Sequence, residues 1–334
     1  MGGRRRFKSV LLYCLLIVFI ALSFFGYEIY KLAARPLLVE SAAPVTIIID
    51  KNASASSFTK ILKEKHLINS SRLFLMFIRL QGLTNRLKAG IYQLKPGETA
   101  HQLLRKVESG QVMVQSFRIT EGSTLNQVKS NLQSAPYLEY SSNDWQELLA
   151  NNKNVEGLLL ADTYNYNAGS EAKYVLRLAN RKLQEYLATS WQNRSPDLPY
   201  NTSYELLIAA SILEKETSLA AERKIISGVI VNRIKKNMPL QMDPTVIYAL
   251  GQNYTGKLSH EDMSINSPYN TYNHRGLPPT PIAMVGKSAI DAAAHPSPST
   301  YLYFVAKGDG SHQFSTTYEE QKEAISRYLT KRPK

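Results

Sequence analysis

The sequence predicts a mixed α+β protein with a single N-terminal transmembrane helix, a small α+β module and a larger α+β domain. Three observations support this fold class. An uncharged apolar run lies near the N-terminus, strand-turn-helix patterns recur between residues 44 and 136, and helical patterns followed by a hairpin occupy residues 137–334. The chain of 334 residues is long enough for two or more folded domains.

The N-terminal segment combines a basic cluster with an apolar run. Four of the first eight residues are basic, and residues 9–27 carry no charge. As a helix this run would span roughly 28 Å, close to the hydrocarbon thickness of a bilayer. Because positive charge stays cytoplasmic, we predict a cytoplasmic basic tail at 1–8, a transmembrane helix at 9–29 and a linker at 30–43, with the remaining chain on the periplasmic side of the inner membrane. A cleaved signal peptide is the alternative, since it shares this order of features.

Charge and residue usage narrow the classes of partner and chemistry. A formal charge of +13 suits nucleic acid, anionic lipid or an acidic wall polymer. Export across a membrane argues against nucleic acid. The only cysteine, Cys14, lies in the apolar run, so the exported part has no thiol for a disulfide or a metal site. The six histidines show no metal-ligand pair at helical spacing, and we expect no metal and no cofactor. Structural roles are the default for His274, which is near a predicted groove, and His312.

Residues 44–136 contain three similar strand-turn-helix units. The predicted elements are strands at 45–50 and 116–120, helices capped at Ser56 or Ser57 and at Thr99, and a helix at 71–81 that is apolar on nearly every face. Units of this β-α-α-β kind resemble LysM-type peptidoglycan-binding modules. A generic α+β spacer is the alternative interpretation.

The larger domain, 137–334, is predicted to be mainly helical with a closing hairpin. The predicted helices are 145–149, 172–190, 204–217, 221–236 and one that begins at Pro244 or Thr245. Strands at 301–307 and 312–315 flank the turn residues Gly308-Asp309-Gly310. A short loop or strand is expected at 156–164.

The helix at 204–217 carries the main catalytic candidate. At 100° per residue, Glu216 lies roughly 50° from the centre of the apolar stripe and Glu214 roughly 110°. Burial of a carboxyl group raises its pKa, so Glu216 is the better candidate for a partly buried general acid. Glu214 is better placed as a flanking or ion-paired group. The alternative is an ordinary charged last turn of a surface helix.

Further candidates could form a binding groove around this acid. The substrate-binding candidates are Glu214, Asn232, Gln241, Asp243, Tyr269, Asn270, Tyr272 and Asn273. Between 269 and 273 aromatic and amide side chains alternate, as in sugar-binding sites where aromatic rings stack on pyranose faces and amides bind N-acetyl groups. A turn-rich loop packed by its tyrosines is the alternative. Asp162 and Asp243 are candidates for a second carboxylate, but capping of a turn or helix is the favoured role for both.

Five segments of the larger domain resemble the endolytic murein transglycosylase (YceG-like) family. In chain order they are EGLLLADTY, AASILEKET, VIVNRIKKNMPLQMDPTVIYAL, SPYNTYNHRGLPPTPIAMVG and YLYFVAKGDGSHQFS. In that family the second glutamate of the EKET motif is catalytic, and Glu216 matches it. The family also has one N-terminal membrane helix and a LysM-like region. Ala161 departs from the family, whose members commonly have proline there.

The resemblance implies a lyase that cleaves the β-1,4 bond between N-acetylmuramic acid and N-acetylglucosamine within nascent glycan strands. Glu216 would protonate the glycosidic oxygen and then accept a proton from the muramoyl C6 hydroxyl, which leaves 1,6-anhydro ends and terminates elongation. The implied partners are glycan strands and the membrane, with peptidoglycan synthases or division proteins as further candidates. A non-catalytic wall-binding scaffold is the alternative, and a muramidase-type hydrolase is a third reading.

Overall fold

The structure is a computed structural model that describes residues 2–150 and 154–328, with side chains from residue 11 onward. The predicted mixed α+β fold class is confirmed. Contacts divide the chain into two compact units. The first comprises residues up to Gln115 together with Asn167–Gly169, and the second comprises Ser116–Tyr166 and the chain from Ser170.

The first unit packs three short helices on a two-stranded sheet and on the end of a long helix. Its elements are α1 (Gly2–Ala34), β1 (Val45–Ile49), α2 (Ala55–Glu64), α3 (Ser71–Leu80), β2 (Gly90–Leu94) and α4 (Ala100–Ser109). Strands β1 and β2 pair antiparallel, from Val45 opposite Leu94 to Ile49 opposite Gly90. Phe58 and Phe74 are fully buried and meet edge to face in the core of this unit.

Helix α1 contains a segment, Leu11–Ala34, with the length and hydropathy of a membrane-spanning helix. A signal sequence has the same two properties. The end of α1 is not free, because Ile29, Leu32 and Ala33 pack on the core of the first unit. The chain that follows is held as well, since the Leu37 N–H donates to the carbonyl of Glu98 at 2.8 Å. The segment predicted as a linker therefore begins as part of a packed structure.

The caps of this unit follow the expected chemistry, with one shift in position. Thr99 caps α4 as predicted and forms a capping box with Gln102. The cap of α2 is Ser54, whose side chain accepts from the Ser57 N–H, so the prediction of Ser56 or Ser57 was wrong. Three serines in six residues offer the same chemistry, and the sequence alone does not select among them.

The second unit contains the remaining elements. They are β3 (Val114–Arg118), which begins in the first unit, α5 (Leu125–Gln133), β4 (Leu138–Glu139), α6 (Gln146–Ala150), β5 (Thr163–Asn167), β6 (Ser170–Glu171), α7 (Ala172–Gln192), α8 (Ser203–Glu216), α9 (Ala220–Lys235), α10 (Asp243–Leu250), α11 (Lys287–Ala294), β7 (Tyr303–Ala306), β8 (His312–Ser315) and α12 (Tyr318–Tyr328). Strand β3 pairs with β5, β4 pairs parallel with β6, and β7 pairs antiparallel with β8. The predicted long helices and the hairpin are confirmed within three residues at each end.

Helix α8 is the central helix of the second unit, where it contacts α7, α9, α10 and α11. Every residue from Leu206 to Leu213 is buried, including Ser211. The Ser211 hydroxyl is satisfied because it donates to the carbonyl of Ile208 at 2.7 Å and accepts from the Ile282 N–H at 3.0 Å. The single apolar stripe expected for this helix is therefore too narrow, since α8 is covered on all sides between its first and last turns.

The third predicted strand-helix unit packs in the second unit, where Val128 and Leu132 of α5 join the core. The contacts thus divide the chain near residue 115, whereas the predicted module ended at 136. The LysM-like identity of the segment 44–136 stays a prediction.

Candidate active site

The last turn of α8 opens into a cleft of about 330 Å³ in the second unit. Six separate segments contribute its walls. The lining residues are Glu216, Arg233, Leu240, Gln241, Asp243, Tyr272, Phe304, Val305, Ala306 and His312. Of the predicted site residues, this cleft brings together Glu216, Gln241, Asp243 and Tyr272.

Glu216 is the last residue of α8 and is partly exposed at the cleft wall. Its carboxyl group has no hydrogen-bond or ion-pair partner in the described parts of the chain. Burial, with a further contribution from the negative charge of Asp243, raises the pKa of Glu216 to about 8. Its position at the carboxyl end of a helix also disfavours a negative charge. The group is suited to hold a proton at neutral pH.

Asp243 is the first residue of α10 and does not cap it, because the cap position belongs to Met242. The Tyr272 hydroxyl donates to Oδ1 of Asp243 at 2.5 Å. Burial and this hydrogen bond raise the pKa of Tyr272 far above its usual range, so its proton stays available for donation. The favoured capping role of Asp243 was therefore wrong. Asp243 would be the cap if α10 began at Pro244, as predicted, but the helix begins one residue earlier.

Asp162 also differs from its favoured role. It precedes strand β5, accepts from the Thr163 N–H at 2.7 Å and from Nζ of Lys182 at 3.2 Å, and does not line the cleft. These two hydrogen bonds, led by the one from Thr163, lower the pKa of Asp162.

Arg233 is a buried cation in the cleft wall. Its Nε donates to the carbonyl of Leu302 at 2.5 Å, and Nη1 donates to the carbonyls of Pro239 and Leu240, both at 2.9 Å, and to Oε1 of Gln241 at 3.0 Å. In residues 2–150 and 154–328, Arg233 has no carboxylate partner. The guanidinium is therefore held in place by neutral acceptors, and it also lies over the ring of Tyr303, 5.0 Å from the ring centroid.

His312 lines the cleft from strand β8. Its Nδ1 lies 2.6 Å from Oε2 of Glu222, and its backbone N–H donates to Oε1 of the same carboxylate at 2.9 Å. His312 thus has the structural role expected of it, because its ring and its backbone N–H are both paired with Glu222. Its ring also meets Phe304 edge to face at 5.4 Å, which fixes the imidazole at the cleft wall.

Glu214 lies outside the cleft lining and is ion-paired, as predicted. Its Oε1 lies 3.2 Å from Nη2 of Arg223, and its Oε2 accepts from the Gly286 N–H at 2.8 Å. The Glu214 side chain is only 2% exposed. Burial raises the pKa of Glu214, while the Gly286 N–H and Arg223 oppose this shift.

The other four candidates, together with His274, lie outside the cleft lining. Asn232 donates to the carbonyls of Ser299 and Tyr301. Asn270 is fully buried and donates to the carbonyls of Met263 and Ile265, and Asn273 donates to those of Ser264 and Ile265. The Tyr269 hydroxyl forms a hydrogen bond with the Thr280 hydroxyl at 2.9 Å. The partners of Tyr269, Asn270 and Asn273 all lie within residues 263–280, whereas Asn232 of α9 holds the chain at 299–301.

Arg233 was not predicted as a site residue, and His312 was not predicted to line the groove. Arg233 follows Asn232 in a basic stretch, NRIKK, where a solvated arginine is the ordinary expectation. Side chains alternate between the two faces of a strand, so the predicted strand 312–315 places His312 and Phe314 on the same face. This was the signal available in the sequence for His312.

Comparisons with known proteins identify the family of this chain. The YceG-like family model matches residues 47–327, so the chain belongs to the YceG-like family. An endolytic murein transglycosylase of Bacillus subtilis (strain 168) is 30% identical over 328 residues, which cover 90% of this chain and 89% of that protein. One from Streptococcus pneumoniae serotype 2 (strain D39 / NCTC 7466) is 26% identical and aligns with 94% of this chain but only 64% of its own length.

A solved structure is also similar. The crystal structure of a yceG-like protein from Listeria monocytogenes aligns with a TM-score of 0.52 and 30% identity, over 85% of this chain and 99% of that chain. These findings confirm the resemblance drawn from the sequence and the prediction that the chain is an enzyme.

Proposed function

We propose that this protein is a membrane-anchored endolytic lytic transglycosylase of peptidoglycan, with Glu216 acting as both acid and base. The observation that carries the proposal is the position of the Glu216 carboxyl group, at the end of a buried helix and on the wall of a cleft. Burial there raises its pKa to about 8, which suits a group that must hold a proton at neutral pH. The names of the relatives supply the substrate class, murein.

The first step is cleavage of the glycosidic bond. Protonated Glu216 donates its proton to the oxygen that links C1 of N-acetylmuramic acid to N-acetylglucosamine, and the bond from C1 to that oxygen breaks. Positive charge develops at C1 and its ring oxygen. The negative charge of Asp243, held by the Tyr272 hydroxyl, stabilises this charge from the same cleft.

The second step restores the enzyme without water. The Glu216 carboxylate accepts the proton of the muramoyl C6 hydroxyl while that oxygen bonds to C1, which closes the 1,6-anhydro ring. One carboxyl group therefore serves both steps and ends as it began. Arg233 is suited to bind a carbonyl oxygen of the substrate, because its position is fixed before substrate arrives.

A muramidase-type hydrolase is the second candidate, and the position of Asp243 supports it. Hydrolytic glycosidases use two carboxyl groups, and Asp243 is a second carboxylate in the cleft of Glu216. The two reactions differ in their products, since hydrolysis adds one water and leaves a reducing end. A non-catalytic wall-binding scaffold would use the same cleft to hold glycan without cleaving it.

The cellular setting of the proposal follows from the N-terminal helix. Leu11–Ala34 would anchor the protein in the inner membrane, with the N-terminus cytoplasmic and the catalytic domain periplasmic. Cleavage within nascent strands at this location would terminate glycan elongation. Peptidoglycan synthases or division proteins are the candidate protein partners.

The test is mass spectrometry of purified, un-crosslinked glycan strands after incubation with the full-length protein in detergent. The Glu216→Gln variant is the matched control, because glutamine keeps the shape of the side chain but cannot cycle a proton. We expect anhydro-ended fragments from the native protein alone. Fragments one water heavier would establish the hydrolase, and cleavage by neither protein, with glycan binding by both, would favour the scaffold.

A further inference from the structure

Helix α3 carries an exposed face that is both apolar and cationic. Met76 and Leu80 are 44% and 67% exposed, whereas Phe74, Phe77 and Ile78 are buried on the opposite side. At 100° per residue, the exposed positions Arg72, Met76, Arg79 and Leu80 fall within an arc of roughly 100°. The core of the first unit therefore leaves one continuous face of α3 uncovered.

The charges on this face have one sign. Helix α3 contains no acidic residue, and in the described parts of the chain neither Arg72 nor Arg79 has an ion-pair partner. Large apolar side chains flanked by arginines are typical of helices that lie in a membrane interface. There the apolar groups reach the acyl chains while the guanidinium groups stay among the headgroups.

The end of α1 holds α3 close to the membrane. The two helices contact each other, and Ile29, Leu32 and Ala33 of α1 pack on the core to which α3 belongs. If the charge-free run that ends at Tyr27 crosses the bilayer, the helix rises by only about 9 Å between Tyr27 and Ala33. The headgroup region on each side of a bilayer is about 5–8 Å thick. The attachment of the first unit thus lies at the level of the headgroups or just beyond it.

We propose that α3 lies in the interface of the periplasmic leaflet, with Met76 and Leu80 at the boundary of the acyl chains. Arg72 and Arg79 bind phosphate oxygens of anionic phospholipids. This contact rests on α1 as the membrane anchor and goes beyond the proposed reaction. The first unit is then fixed on the membrane surface at two places, the end of α1 and the exposed face of α3.

The test measures the depth of a fluorescent label on α3. The full-length protein with Cys14→Ala and Met76→Cys is labelled with an environment-sensitive fluorophore and placed in phosphatidylcholine vesicles with or without phosphatidylglycerol. The matched control carries Lys60→Cys, an exposed position on α2. With phosphatidylglycerol present, we expect spin-labelled lipid to quench the label at 76 and iodide to quench the label at 60.

The two arginines provide the charge dependence. An arginine near an anionic surface contributes roughly fivefold to binding, so Arg72→Gln with Arg79→Gln should lower the ratio of lipid-bound to free α3 roughly 25-fold. The same pair of substitutions should have little effect in phosphatidylcholine alone. All of these positions are exposed, and circular dichroism verifies that each variant is folded.

Three results would overturn the proposal. Equal iodide quenching at 76 and 60 would mean that α3 faces water, and protection at 76 from both quenchers would mean that a protein surface covers it. A fluorophore on native Cys14 tests the membrane anchor separately. If spin-labelled lipid did not quench that fluorophore, the proposal would also be defeated. Glycan cleavage by the arginine variant in detergent should be unchanged, so loss of lipid contact with retained cleavage affects only this inference.

Discussion

Replacing Glu216 with glutamine is expected to stabilise the folded protein at neutral pH while it removes the proposed activity. The native pKa of about 8 lies above the ordinary value of 4.5. The folded state therefore binds a proton that the unfolded state releases, and folding becomes less favourable as pH rises from about 4.5 to about 8. Glutamine carries no such proton, so the variant lacks this loss of stability.

The size of the effect follows from the two pKa values. The difference in free energy of unfolding should grow from under about 1 kcal/mol at pH 5 to about 3 kcal/mol at pH 7. The upper figure is a ceiling, because water reaches the partly exposed Glu216 side chain. For a unit of this size, 3 kcal/mol corresponds to an increase in Tm of about 6–12 °C.

The assay is thermal unfolding of full-length native protein and Glu216→Gln in detergent, followed by circular dichroism at pH 5 and pH 7. Glu214→Gln is the matched control on the same helix turn. It should destabilise the protein by about 3 kcal/mol, because the buried Arg223 loses its charged partner. Equal Tm values for native protein and Glu216→Gln at both pH values would refute a proton-holding Glu216.

Three further substitutions test the cleft and its supports. Arg233→Lys should lower kcat/KM on glycan strands about 100-fold, since lysine cannot keep the fork of hydrogen bonds; unchanged kinetics would remove Arg233 from the site. Tyr272→Phe should lower kcat by about tenfold or more through the loss of the hydrogen bond to Asp243, with Tm measured alongside, and a variant that keeps native kcat would contradict the role given to that pair. Gly228→Ala should lower Tm, because a Cβ at this position would lie 2.7 Å from the Ser297 carbonyl oxygen and cost about 1–3 kcal/mol. This cost opposes the gain of about 1 kcal/mol that alanine brings to a helix. A Tm at or above the native value would show that the contact relaxes freely.

Local patterns in the sequence predict much of this fold. The last turn of α8, the capping box at Thr99 and the hairpin around Gly308-Asp309-Gly310 are each encoded within a few residues, so periodicity, capping and turn chemistry suffice to find them. Helix α11, KSAIDAAA, was not predicted. Its alanines mark no apolar face, and their burial depends on packing against α8 and α9.

The two glutamates of α8 show where local reasoning ends. The helical wheel correctly predicted a partly buried Glu216 and an ion-paired Glu214. It did not predict that Glu214 would be almost completely buried, because that burial comes from Arg223 and Gly286, on other segments. Arg233 was missed for the same reason, since its acceptors are carbonyls from loops that meet only in the folded chain.

The cleft places two carboxyl groups at opposite kinds of helix end. Glu216 lies at the carboxyl end of α8, where the helix dipole, burial and the charge of Asp243 all disfavour its ionised form. Asp243 lies in the first turn of α10, where the dipole and the Tyr272 hydroxyl stabilise a negative charge. One group is thereby suited to donate a proton and the other to stabilise positive charge. Two carboxyl groups in such different surroundings can divide the work of glycosidic cleavage, because one donates the proton while the other faces the positive charge that develops at C1.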